Sequence, residues 1–146
     1  MQIEIHNLTK VYNEKRGLLP ANLEVEKGEL IAVIGHNGAG KSTLLKMLAS
    51  WLLPDSGQVL VDGINLGNRV AVVRKVGFVP ETPNLFDIFS VEYNLKIFAR
   101  LFQVPFLRIE EILKGFALLP FRNNKIQVLS NGLRQRVSFG RALLAD

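Results

Sequence analysis

A glycine-rich stretch near the first third of the chain constrains its fold more than any other feature. Residues 35–43 fit the pattern G-x-x-x-x-G-K-[ST], with Gly35, Gly40, Lys41 and Ser42 in the fixed positions. The run before it, Leu-Ile-Ala-Val-Ile, is short and apolar, which predicts a buried strand over residues 30–34. Leucines then recur at helical spacing. A strand, a glycine-rich loop and a helix in this order are the context in which the pattern binds phosphate.

Each residue type in this pattern suits a triphosphate. Glycines let backbone N–H groups turn inward and form an anion nest, and the helix that begins near Lys41 adds its positive dipole end. We expect Lys41 to reach the β- and γ-phosphates, Ser42 to offer its hydroxyl to Mg²⁺, and Thr43 to bond a nearer phosphate. The remaining loop residues are expected to bind through backbone groups: Gly35, His36, Asn37, Gly38, Ala39 and Gly40. The alternative, an ordinary glycine turn before a helix, is disfavoured by the Lys-Ser-Thr sequence in register.

Composition excludes several other classes of protein. The chain has 146 residues, of which 48% are hydrophobic, enough for the core of one domain. No apolar run approaches the roughly 20 residues of a membrane helix, and the N-terminal residues do not resemble a secretory signal. Cysteine is absent, which excludes disulfides and thiolate metal sites. The net charge is +5, but the basic residues are scattered, so we expect no nucleic-acid partner.

Hydrophobic periodicity predicts a mixed α/β chain. Strands are expected at residues 3–10, 22–25, 58–61, 64–66 and 76–79. Asp62-Gly63 predicts a tight hairpin turn, and residues 13–20 a longer turn. Helices are expected at residues 41–51, 68–75, 91–101, 109–116 and 133–144. Ser90 and Ser130 are plausible N-caps of two of these helices.

A second motif indicates a family. Residues 129–136, Leu-Ser-Asn-Gly-Leu-Arg-Gln-Arg, resemble the L-S-G-G-Q signature of ATP-binding cassette (ABC) proteins, and the order of features agrees over essentially the whole chain. The resemblance implies an α/β P-loop NTPase fold, the ABC-type nucleotide-binding domain with an antiparallel β subdomain and a helical insert. It divides the chain into a P-loop core with the β subdomain (1–80), a Q-loop and helical subdomain (81–129), and the signature motif with its helix (130–146).

The resemblance also implies roles for individual residues. Tyr12 would stack on adenine; its simpler interpretation is a tyrosine at a strand edge. Ser130, Asn131 and Gly132 would bind the γ-phosphate of nucleotide held by a second copy, because ABC domains work as head-to-tail dimers; a simple N-cap is the alternative. Asn131 replaces a glycine of the usual signature, although Asn tolerates left-handed backbone angles. Leu133 replaces the usual glutamine.

Glu81 stands where many ABC proteins carry the Q-loop glutamine. A carboxylate there could approach Mg²⁺, and the alternative is a solvated turn carboxylate. Residues 79–83, Val-Pro-Glu-Thr-Pro, look like the variant found in ABC-2-type exporter subunits. The resemblance therefore favours an exporter over an importer.

The chain ends before the Walker B strand of the family. The Walker B aspartate, the catalytic glutamate, the D-loop and the switch histidine are not found in it, so we assign no catalytic residue. We expect the front portion of a longer ABC domain, truncated before Walker B. Alone, it should bind ATP weakly, hydrolyse it negligibly and tend to aggregate.

The function implied is that of the ATP-binding subunit of an ABC transporter, peripheral on the cytoplasmic face of the cell membrane. Its partners would be ATP, a second ABC domain and a transmembrane permease, which the family docks on residues 81–102; Phe86 and Phe89 are the exposed candidates there. Two alternatives stay open: a soluble ABC ATPase acting on ribosomes or DNA, and a non-catalytic remnant that binds nucleotide. A downstream Walker B strand would distinguish the ATPase from the remnant.

Overall fold

The computed structural model describes residues 1–13 and 16–145. The chain divides into two compact units, Met1–Val73 and Arg74–Asp146. The glycine-rich loop lies in the first unit, while Glu81 and the signature-like motif lie in the second. The two units are therefore described separately.

An antiparallel sheet forms the framework of the first unit. Its strands are β1 (Ile3–Asn13), β2 (Arg16–Val25), β3 (Ser56–Val61) and β4 (Ile64–Asn65), in the order β2-β1-β3-β4. The helices of this unit are α1 (Lys41–Leu48) and α2 (Arg69–Val73). The fully buried side chains come from β1, β3 and both helices: Ile5, Leu8, Met47, Val59, Val61 and Val72.

The predicted hairpin and short helix of this unit are confirmed. Asp62 and Gly63 connect β3 to β4 with φ angles of 47° and 74°, the positive values that a tight turn of this kind requires. The α2 helix falls within the predicted range. Several boundaries differ from the predicted ones: β1 runs on to Asn13, β3 begins at Ser56, β4 ends at Asn65, and α1 ends at Leu48 rather than near residue 51.

Two secondary-structure predictions in this unit are wrong, one of a strand and one of a turn. Residues 30–34 form no strand, and the side chains of Leu30 and Ile34 are 98% and 91% exposed. A buried strand needs neighbours on both sides, and the described sheet offers this segment none. The turn expected over 13–20 is largely strand, since Val11 pairs with Gly17 and Lys10 with Leu18. Residues 14 and 15 of that range lie outside the described part of the chain.

Helices build the second unit. They are α3 (Val91–Phe102), α4 (Leu107–Gly115) and α5 (Asn131–Ala142), with short 3-10 turns at Leu119–Phe121, Ile126–Val128 and Leu143–Ala145. Their apolar faces share one core: Val91, Leu95, Ala99, Ile109, Ile112, Leu113, Leu118, Ile126, Leu129, Val137 and Leu144. The helical periodicity read from the sequence is therefore confirmed. The strand expected at residues 76–79 is wrong, because this segment has no regular structure.

Two close contacts hold the helices of this unit in place. A Cβ on Gly140 would lie 2.5 Å from Cγ2 of Ile112, so α5 approaches α4 too closely for any larger residue. Glu92 at the start of α3 accepts hydrogen bonds from Arg122 at 2.8 Å and pairs with Lys96 at 3.0 Å. Both bonds stabilise the carboxylate, and they lower the pKa of Glu92 below its ordinary value of 4.5.

Candidate functional site

The glycine-rich loop bends back on itself before α1. Gly38 and Gly40 have φ angles of 87° and 88°, a left-handed conformation that glycine adopts at little cost. The backbone N–H of Ala39 donates to the carbonyl of His36 at 3.2 Å, which closes a turn inside the loop. Gly40 is also the N-cap of α1 and carries no side chain to cap it. The first N–H groups of a helix lack acceptors within it, so this end of α1 is open to an anion.

Lys41 is held against the loop by two carbonyls. Its Nζ donates to the oxygens of Gly35 and His36, each at 2.8 Å. An ammonium group has three N–H donors, so a third stays available to a ligand. The side chain of His36 bonds only locally, with Nδ1 2.9 Å from the carbonyl of Asn37. These contacts place one positive charge at the opening of the helix.

Tyr12 reaches the same site from the first hairpin. A cleft of about 610 Å³ lies above the loop, within the usual size of a small-molecule site. Its lining comes from β1, β2, the loop and the first turn of α1: Tyr12, Gly17, Asn37, Gly38, Gly40, Lys41, Ser42 and Thr43. The structure thus brings together Tyr12 and the predicted phosphate-binding residues, which are far apart in sequence. Gly35, His36 and Ala39 shape the loop beneath this lining.

The loop and the hairpin touch where Gly40 meets β2. A Cβ on Gly40 would lie 2.8 Å from the oxygen of Gly17 and 3.0 Å from Cδ1 of Leu18. Gly17 was not predicted as a site residue, because a turn and not a strand was expected over this region. Only the pairing of β2 with β1 brings Gly17 to the loop.

The donor set of the cleft fits a Mg²⁺-bound triphosphate. Within residues 1–13 and 16–145, no cluster of three or more His, Asp or Glu side chains could hold a metal by itself. Mg²⁺ needs no such cluster, because it keeps several waters and takes phosphate oxygens with one or two protein ligands. Ser42 is exposed at the start of α1 and lines the cleft, so its hydroxyl can serve as such a ligand.

The signature-like segment lies at the start of α5, in the second unit. Ser130 caps this helix, and its Oγ accepts a hydrogen bond from the N–H of Leu133 at 3.4 Å. Asn131 and Gly132 follow in the first turn and are exposed, with no atom within 4 Å of a Cβ built on Gly132. This helix start is therefore accessible. Its role toward nucleotide stays a prediction.

Glu81 lies in an irregular, exposed segment of the second unit. Its backbone oxygen accepts a hydrogen bond from Nε2 of Gln135 on α5 at 3.3 Å. The following segment is anchored by the buried Asn94, whose side chain bonds both the N–H of Phe86, at 2.8 Å, and the carbonyl of Phe86, at 3.1 Å. The rings of Phe86 and Phe89 stand 6.1 Å apart and are partly exposed. Sequence periodicity did not reveal the anchoring roles of Gln135 and Asn94.

Among the described residues, no helix combines the length and the apolar character needed to cross a lipid bilayer.

Comparison with known proteins indicates the family of this chain. The sequence profile of the ABC transporter family, described as "ABC transporter", matches residues 18–146. The chain is 34% identical to the ABC transporter ATP-binding protein NatA of Bacillus subtilis over 99% of its own length and 63% of that protein. It is also 34% identical to the putrescine transport ATP-binding protein PotG of Escherichia coli over 97% of its length, but spans only 38% of PotG.

A solved structure shows the same fold. The dimeric post-hydrolysis state of the ATP-binding cassette MJ0796, bound to ADP and Pi, superposes with a TM-score of 0.86 at 29% identity, covering 98% of this chain and 69% of that one. The predicted fold class is therefore confirmed, with its antiparallel sheet and helical portion. On the profile match, the relatives and this superposition, the chain belongs to the ABC transporter family.

Proposed function

We propose that this chain is the nucleotide-binding part of an ABC transporter, in which binding and hydrolysis of ATP drive movement of a cargo through a separate membrane permease. The observation that carries the proposal is the cleft that joins Tyr12 to the loop and to the open end of α1. Because the chain spans 63% of NatA, turnover and transport are proposed for the complete gene product.

Each residue of the cleft has a role in this proposal. The loop amides from Gly35 to Gly40 and the ammonium of Lys41 bind the phosphate chain, with Thr43 beside them. Ser42 ligates the Mg²⁺ that neutralises the β- and γ-phosphates. Tyr12 stacks on the base, and its ring is 51% exposed and thus accessible to a ligand.

A second copy or a related domain completes the site in this proposal. Ser130, Asn131 and Gly132 bind the γ-phosphate held by the partner, and the accessible start of α5 supports this role. The dimeric state of MJ0796 is consistent with such an arrangement. Glu81 approaches Mg²⁺ in the assembled site. The permease holds the assembly at the cytoplasmic face of the membrane and contacts residues 81–102.

The relatives favour this function over a soluble ATPase, since both NatA and PotG are named for transport. The preference for an exporter of the ABC-2 type stays a prediction. It rests on Glu81 and the prolines around it.

The proposal is tested by Mg²⁺-ATP binding to the complete gene product. Lys41→Ala removes a charged donor, and a charge-assisted hydrogen bond contributes about 1.5–3 kcal/mol, so affinity should fall roughly 10- to 150-fold. Lys46→Ala is the matched control, because Lys46 is exposed on the last turn of the same helix, outside the cleft lining. Unchanged affinity in Lys41→Ala, or an equal loss in both variants, would refute the proposal.

A further inference from the structure

Asp55 directly precedes the first residue of β3 and continues the contact with β1. The pairing of β1 with β3 ends where Thr9 faces Ser56, although β1 runs on to Asn13. Asp55 takes the place of the missing strand residue. Its carboxylate oxygen Oδ2 accepts the N–H of Val11 at 2.8 Å, and its own N–H donates to the carbonyl of Thr9 at 3.0 Å.

Lys10 holds the second oxygen of the same carboxylate. Its Nζ donates to Oδ1 of Asp55 at 2.6 Å, and the lysine side chain is only 18% exposed. The hydroxyls of Thr9 and Ser56 lie 2.5 Å apart beside this pair. The bond from Lys10 and the bond from the Val11 N–H lower the pKa of Asp55 below its ordinary value of 3.8, so the carboxylate is charged at neutral pH.

Tyr12 follows Val11 directly, at a point where the ladder on its other side is irregular. Val11 pairs with Gly17 and Asn13 with Arg16, and the register shifts between these two pairs. A bulge of this kind leaves the extra residue without a regular partner. The backbone next to Tyr12 is therefore fixed from the β3 side, by Asp55, while the β2 side is interrupted.

We propose that Asp55 is a positioning residue for nucleotide recognition: it holds the backbone at Val11 so that the ring of Tyr12 faces the base of a nucleotide in the cleft. The proposal rests on the function proposed above. Asp55 does not line the cleft, so it acts through the backbone that it holds next to Tyr12. Stacking requires a ring at a defined place, and removing the anchor should weaken binding of the base without affecting the phosphates.

Two ligands separate these contributions. The complete gene product is titrated, in Mg²⁺, with a non-hydrolysable ATP analogue and with inorganic tripolyphosphate, which has no base. The variant is Asp55→Asn. The two carboxylate oxygens of Asp55 accept from Lys10 and from the N–H of Val11, and the amide of Asn replaces one of these acceptors with an NH₂ donor. The control is Asp62→Asn. Asp62 makes a similar pair of bonds beyond the opposite end of β1: its Oδ1 accepts the N–H of Gln2 at 2.8 Å, and its own N–H donates to the carbonyl of Gln2 at 3.0 Å.

We expect Asp55→Asn to lower the affinity for the ATP analogue about 3- to 10-fold. This is smaller than the roughly 5- to 150-fold loss of affinity expected when Tyr12→Ala removes the stacking ring. Tripolyphosphate affinity should not change, and Asp62→Asn should change neither ligand. In a Tyr12→Ala background, Asp55→Asn should cause no further loss, because the two residues act through one contact. Lys10→Met keeps the bond between Asp55 and Val11, so it should lower the affinity for the ATP analogue by less than Asp55→Asn does. If Asp55→Asn does not fold, Lys10→Met is the variant that tests the proposal.

An equal loss for both ligands, the same loss in Asp62→Asn, or a loss that persists without the Tyr12 ring would overturn the positioning role. Failure of the proposed function would give a different result. In that case the wild-type protein binds neither ligand, or Lys41→Ala leaves both affinities unchanged, and the role of Asp55 is overturned with it.

Discussion

Replacing Gly40 with alanine tests the contact between the loop and the hairpin. The φ of 88° costs an L-residue about 1–2 kcal/mol. The added methyl would also lie 2.8 Å from the backbone oxygen of Gly17 and 3.2 Å from Cα of Leu18, atoms that cannot rotate away. Overpacking of this kind costs about 1–3 kcal/mol. Gly40→Ala should therefore lower the free energy of unfolding by roughly 2–5 kcal/mol in total.

Gly38 provides a matched control for the steric part of this cost. Its φ of 87° is nearly the same, but no atom lies within 4 Å of a Cβ built on it. Gly38→Ala should lose only the conformational part, about 1–2 kcal/mol. Urea unfolding of both variants measures the difference, and Mg²⁺-ATP affinity should fall further in Gly40→Ala. Equal losses of stability in the two variants would show that β2 does not pack on the loop.

Three further predictions concern the second unit. Gly140→Ala should lower the free energy of unfolding by about 1–3 kcal/mol through the clash with α4, whereas Gly115→Ala, with open space around it, should raise it by about 0.4–1 kcal/mol. Glu92→Gln should make the free energy of unfolding depend less on pH, as measured by urea unfolding between pH 2 and 7. Phe86→Asp together with Phe89→Asp should abolish co-purification of the complete gene product with the proposed permease while leaving Mg²⁺-ATP affinity unchanged.

The sign of the acid effect follows from the lowered pKa of Glu92. Stability from this carboxylate is fully present above its ordinary value of 4.5 and is lost as the pH falls through the lower pKa of the folded state. Wild type and Glu92→Gln should therefore converge below that point and diverge above it. Parallel curves for wild type and Glu92→Gln would contradict this reasoning. Equal signs for the two glycine variants would contradict the predicted clash at Gly140, and co-purification of the proposed permease with the double aspartate variant would contradict the proposed docking surface.

Local chemistry made several features of this protein predictable. The Asp62-Gly63 turn depends on backbone preferences of two adjacent residues, and the caps Ser90 and Ser130 bond N–H groups only three residues away. The amphipathic helices follow from the same short-range periodicity. The glycine-rich loop was predictable for the same reason, because its glycines, its lysine and the start of α1 are contiguous.

Other features depend on partners that are distant in sequence. The apolar run at residues 30–34 resembles a buried strand, yet a strand exists only where another strand pairs with it, and here the run is exposed. Residues 16–20 form a strand because they pair with β1. The glycine and the proline in that range had instead indicated a turn. Asp55 and Gly17 acquire their roles through contacts with β1 and the loop.

The sequence by itself determined the glycine-rich loop before α1, the helix caps and the family, because each depends on residues close together in the chain or on motif order. Only the tertiary structure decided which apolar segments pair, that Tyr12 joins the loop in one cleft, and that Asp55 secures the strand beside it. Hydrogen bonds between distant strands and steric contacts between packed elements set these outcomes, and neither leaves a periodic signal in the sequence.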